Sequence, residues 1–141
     1  MKNAIIVLFI IVLSTVALRA QNADIYIMTG NAKDDLGDLK GALADFTLAI
    51  EDDSTYAMAY FNRAWIKRKM NDYEGAIADY TSAILYKPGY QIAYNNRGIV
   101  YILMGKKEEA CIDWEKAHEM GYPDAKTLLE QYCSPIETKQ E

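Results

Sequence analysis

The sequence predicts an all-α fold, a solenoid of three helix-turn-helix units, and three observations predict it. Shifting the register by 34 residues lays like onto like: small Gly30, Ala64 and Gly98; small Ala42, Ala76 and Ala110; aromatic Phe46, Tyr80 and Trp114; small Ala49, Ala83 and Ala117. Turn signals fall midway through the units, at Gly37-Asp38, Asn71-Asp72 and Gly105-Lys106. Pro88 then breaks the chain after the second helix of the second unit, where a proline is tolerated because the helix has ended. Self-similarity at one period is the signature of a repeat stack, which offers a groove and no evident chemistry.

The 141 residues suit one domain, and with 51% hydrophobic and 25% charged residues the chain belongs with globular proteins. Residues 1–20 read as a secretory signal peptide. Lys2 precedes an apolar run from Ala4 to Leu13, then Ser14 to Leu18, with small Ala20 before polar Gln21. Counting Ser14 and Thr15, the stretch reaches about 15 residues, short of the roughly 20 that span a bilayer. No cysteine follows the run, which argues against a lipid-anchored lipoprotein. The expectation is an exported chain, periplasmic or secreted, without a membrane span after cleavage; an uncleaved anchor is the alternative.

Cleavage would remove Lys2 and Arg19 from the 15 basic residues, against 20 acidic ones, taking the formal charge from -5 to -7. Nucleic acid is excluded as a partner class, because neutralising phosphates needs clustered Lys and Arg. The one basic cluster, Lys67, Arg68 and Lys69, is explained by the dipole of a helix C-terminus.

The first unit spans 23–56, with helices over roughly 23–36 and 39–52; the second spans 57–90 and the third 91–124. Gly37 can adopt the left-handed conformation that closes a helix, and Asp38 can accept from the free amides that open the next. Asn71 and Asp72 repeat this grammar, whereas Gly105 is followed by Lys106. Folding the helices about these turns sets Gly30 opposite Ala42 and Gly98 opposite Ala110, with the aromatic of each unit filling the space beside them.

These small and aromatic positions make the chain resemble the tetratricopeptide repeat family, with three repeats over about 23–122. It departs at the family's usual tryptophan, replaced by Tyr26, Tyr60 and Tyr94, and keeps the closing proline only as Pro88. The resemblance implies a right-handed α-solenoid. The segment from Ala110 to Cys133 is also similar to Sel-type helical repeats, which implies a capping helix over 124–133 and leaves 134–141 as a polar tail.

In that family the inner surface comes mainly from the first helix of each repeat. The corresponding positions here are Ile27, Asn31 and Asp34, then Phe61, Trp65 and Arg68, then Asn95, Ile99 and Ile102. Spacings of 4 and 3 put each trio on one helical face. Trp65 beside Phe61 is either an anchor pocket for a peptide or part of the inter-repeat core. Some chaperone-binding members hold a terminal carboxylate in a clamp of Lys and Asn. Asn31 and Asn62 match that clamp, but Ile27 and Ile92 stand where it needs lysines, and Asn96 where a further basic residue is expected.

Arg63 lies 18 residues after Asp45, and Arg97 lies 18 after Asp79, equidistant from the turns between repeats. Inter-repeat ion pairs are expected, with arginines pointing into the groove as the alternative. Cys111 and Cys133, the only cysteines, fall at one end of a predicted antiparallel pair, which in an exported chain invites a disulfide; two free thiols are the alternative. With the single His118 they make no zinc set. His118 falls where Ile50 and Ile84 stand in the earlier repeats, so it is read as packed. No nucleophile, base and orienting group assemble, and no glycine-rich phosphate loop occurs. The expectation is therefore a non-catalytic adaptor without cofactor or metal, binding a protein or peptide. The alternative is a module that self-associates through its repeat ends.

Overall fold

A computed structural model describes residues 22–133, together with Ile6. The expected signal peptide and the polar tail 134–141 lie, Ile6 apart, outside the described residues. The order is α1 (22–35), α2 (Leu39–Asp52), α3 (Ala57–Lys69), α4 (Tyr73–Tyr86), α5 (Gln91–Leu103), α6 (Lys107–Glu119) and α7 (Ala125–Leu128), continued by a π-helical turn, Leu129–Cys133. The cap expected as one helix is thus a single α turn that widens into a π turn. Consecutive helices pack side by side along the stack.

Each hairpin turn is built the same way. Gly37 (φ 80°), Asn71 (φ 62°) and Gly105 (φ 74°) take the left-handed conformation, which Gly and Asn tolerate best. The residue after each reaches back to the last turn of the helix. Asp38 N–H donates to the Lys33 carbonyl at 2.9 Å, Asp72 N–H to Lys67 at 2.9 Å and Lys106 N–H to Tyr101 at 2.8 Å. Gly121 (φ 83°) and Tyr122 repeat the closure before the cap. The next helix opens on a side-chain cap at two of the three hairpins: Asp38 accepts from Gly41 N–H at 2.9 Å, and Asp72 from Gly75 N–H at 3.0 Å. Lys106 makes no such bond.

Phe46, Tyr80 and Trp114 are fully buried, and their burial stabilises the stack by roughly 2 to 3 kcal/mol each. The small residues of the first helices receive the rings. A Cβ on Gly30 would stand 2.6 Å from Phe46 Cε1, and one on Gly98 would stand 2.7 Å from Trp114 Nε1. One core cluster joins Phe46 and Ala42 to Ala59 and Ile66 of the next hairpin; another joins Tyr80 and Ala76 to Ala93 and Val100. Stability therefore resides in contacts between neighbouring repeats as well as within each.

The expected pairs of Arg63 with Asp45 and Arg97 with Asp79 do not form. Arg63 grips Asp79 with two parallel bonds of 2.8 Å, and Arg97 grips Asp113 with two more of 2.8 Å. The reason is register: these partners are equidistant from the hairpin turn, where the two helices lie closest, rather than from the turn between repeats. Each arginine still ties the repeats together, because its remaining nitrogen donates to a threonine of the preceding repeat, Thr47 at 3.4 Å and Thr81 at 2.8 Å. The bond to Asp79 raises the Arg63 pKa. For Arg97 burial acts the other way, but Asp113 outweighs it and the net shift is also upward. Asp45 is held instead by Lys33 at 2.7 Å.

Candidate functional site

A hollow of about 280 Å³ opens on the inner side of α1, α3 and α5. Asn31 and Asp34 come from α1, Phe61, Asn62 and Trp65 from α3, and Ile92 and Asn96 from α5, with the Phe46 ring reaching through from α2. Asn62 and Asn96 are equivalent, 34 residues apart, and Asn31 lies about one turn further along α1 than the position equivalent to them. Asn62 donates its amide to Asn31 Oδ1 at 3.2 Å, so α1 and α3 are bridged across the floor by neutral polar groups. At the rim, Lys69 holds Asp34 at 2.5 Å. Asn and uncharged aromatic groups can bond a backbone and surround a side chain.

Five of the expected groove residues meet there: Asn31, Asp34, Phe61, Asn62 and Trp65. Trp65 does both things that its position allowed, packing one side on the first core cluster and lining the hollow with the other. Arg68 lies over its ring, with the guanidinium carbon 4.4 Å from the centroid.

The others lie elsewhere. Ile27 is buried in the first core cluster. Asn95 is buried as well, and its carbonyl accepts from Trp114 Nε1 at 3.2 Å. Both share a register with Phe61, a position turned toward the neighbouring hairpin, and only the large Phe61 ring reaches the hollow. The groove residue of α5 is Asn96, one step of about 100° further round the helix. Its spacing of four from Ile92, which puts both on one helical face, is the signal in the sequence that could have found it.

Ile99 and Ile102 line a second hollow of about 240 Å³ with Leu103, Trp114, Leu128 and Tyr132, roofed by the cap. Tyr132 lies against Trp114 with ring centroids 5.5 Å apart. A disulfide joins Cys111 of α6 to Cys133, with 5.8 Å between the Cα atoms, and holds that roof in place. His118 is exposed, not packed, so its register with Ile50 and Ile84 misleads at the end of the stack. Among the described residues no group of three His, Cys, Asp or Glu side chains is placed to hold a metal ion, and no helix is long and apolar enough to cross a membrane.

Comparison with known proteins gives one answer on the fold. The tetratricopeptide repeat family matches residues 57–90 and 92–120. No curated protein matches the chain. Among solved structures, the second TPR of Spaghetti (RPAP3) bound to the HSP90 peptide SRMEEVD is 32% identical, covering 72% of this chain and 94% of that one, with a TM-score of 0.69. The second TPR domain of human RPAP3 in complex with the HSP70 peptide SGPTIEEVD is 29% identical, covering 85% and 99%, with a TM-score of 0.74. The Arabidopsis OM64 TPR domain, 23% identical over 82% and 97% with a TM-score of 0.78, shares the fold. With its 34-residue hairpins, its ring-into-small packing and these likenesses, the chain belongs to the tetratricopeptide repeat family.

Proposed function

We propose that this protein is a non-catalytic adaptor that binds an extended segment of another protein in the hollow between α1, α3 and α5. The observation that carries this reading is the convergence of Asn31, Asn62 and Asn96 around the exposed sides of Phe61 and Trp65. Amides can satisfy the backbone of an extended chain while aromatic walls surround one of its side chains. Two similar domains were solved with peptides bound, which supports the same use here. Ile27 and Ile92 replace the lysines of the carboxylate clamp, so the segment is held by a different balance of contacts.

The adaptor works outside the cytoplasm on this reading. An apolar leader in residues 1–20 supports that, and so does the disulfide, since such bonds persist in oxidising compartments. Crosslinking the tagged protein in its native compartment, followed by mass spectrometry, tests the reading. A partner is expected whose capture is abolished by Trp65→Ala while circular dichroism stays unchanged. Capture that is indifferent to Trp65→Ala rules the groove out.

A second reading, self-association through the α1 end, is favoured by the apolar side chains that α1 and its turn expose, Ile25 (48%), Met28 (66%) and Leu36 (85%). Sedimentation at several concentrations decides it, because a strict monomer eliminates it.

A further inference from the structure

Three arginines occur among the described residues, and two of them are spent: Arg63 on Asp79 and Arg97 on Asp113. Arg68 forms no ion pair among the described residues. Its lysine neighbours are also engaged, Lys67 with Asp79 at 2.8 Å and Lys69 with Asp34. Arg68 Nε is buried without a hydrogen-bond partner, and the guanidinium is stacked on Trp65, a wall of the hollow. The Tyr80 hydroxyl lies close by. Burial raises the Tyr80 pKa and the nearby Arg68 draws it part of the way back, so the phenol stays neutral and leaves the arginine's charge uncompensated. Stacking on an indole holds a guanidinium in one plane, with its two terminal nitrogens left for a two-point bond to a carboxylate.

We infer that the groove recognises an internal stretch of its partner carrying an acidic side chain, Asp or Glu, bound by Arg68, next to an apolar side chain seated between Phe61 and Trp65. This rests on the groove reading above and specifies the partner's chemistry. Charge complementarity selects an acid, because the guanidinium is the uncommitted charge on that wall. The composition of the floor selects a side chain over a chain end. Ile92 and Phe46 would desolvate a terminal carboxylate there, and the asparagines offer it only neutral donors.

The test uses an array of N-acetylated, C-amidated decapeptides with a central Leu and Glu, Gln or Lys scanned through the flanking positions, probed with the intact protein. At one or two positions near the Leu, Glu is expected to bind about ten-fold more tightly than Gln, the scale of one charge-assisted bond. Salt should shrink that ratio. Arg68→Gln should erase the Glu preference and leave the preference for Leu, with helicity retained. Binding that needs Trp65 but does not distinguish Glu from Gln, or a Glu preference that survives Arg68→Gln, overturns this inference alone. Preference for a free carboxyl terminus over every capped peptide overturns it in favour of end recognition. Failure to retain any peptide, capped or free, overturns the groove reading and this inference with it.

Discussion

The second and third repeats place equivalent positions in opposite service. Trp65 and Arg68 of the second become Ile99 and Ile102 of the third, 34 residues on. In the second repeat the wall is aromatic and charged and opens on the groove; in the third it is aliphatic and roofed by Leu128 and Tyr132. One scaffold position thus serves for binding or for sealing according to what covers it, and the side chains follow. A stack needs its last face covered, since a repeat's apolar side is otherwise left in water.

The sharpest way to break this comparison is to truncate both tryptophans. Trp114→Ala, in the sealed repeat, is expected to cost about 3 to 5 kcal/mol and to lower the midpoint of urea unfolding accordingly. Trp65→Ala should move that midpoint far less while removing the wall of the groove. Equal losses would mean that Trp65 is core rather than a wall of the groove. Next in size is the staple on the sealed repeat. Reducing the Cys111–Cys133 bond, or Cys133→Ser, is expected to cost about 3 kcal/mol in the chain-entropy picture. Amide exchange should then rise in α7 and the π turn, with α3 and α4 unmoved.

Gly98→Ala comes third. Its new methyl would meet the Trp114 indole at 2.7 Å, so overpacking of about 1 to 3 kcal/mol outweighs the roughly 1 kcal/mol by which alanine favours a helix. The second repeat already carries Ala64 beside Tyr80, so Ala64→Gly there should be destabilising too, and thermal melts of the two variants test this opposition. The smallest effect belongs to the uncapped turn. Lys106→Asp should raise stability by no more than about 0.5 kcal/mol, measurable as a slightly higher midpoint, because the bonds of Asp38 and Asp72 go to Gly41 and Gly75, where a missing Cβ leaves room for the carboxylate, whereas α6 carries Glu109 there.

The parts of the fold that were legible in the sequence are those for which the backbone demands a residue type. A left-handed turn requires Gly or Asn, and a free helix start favours Asp, so Gly37, Asp38, Asn71, Asp72 and Gly105 mark the hairpins unaided. A ring buried against a small residue is nearly as plain. The ion pairs were misread because a sequence offers two symmetric ways to fold Arg63 onto an aspartate. Only packing shows that the hairpin's own aspartate lies nearer. Within the site, a slip of one residue turns a helical side chain by about 100°, which is how Asn95 came to be expected where Asn96 stands. Phe46 escaped notice in the groove because its helix belongs to the outer layer and only its ring passes between α1 and α3.

The bond between α6 and the cap also gives the stack a direction in which to come apart. An array held by neighbour contacts peels from whichever end is weaker, and a crosslink at one end leaves the other as the place where helices first loosen under pulling or heating. Opening would then travel from α1 toward α6, so the groove would lose its α1 wall, with Asn31 and Asp34, while the sealed end was still intact.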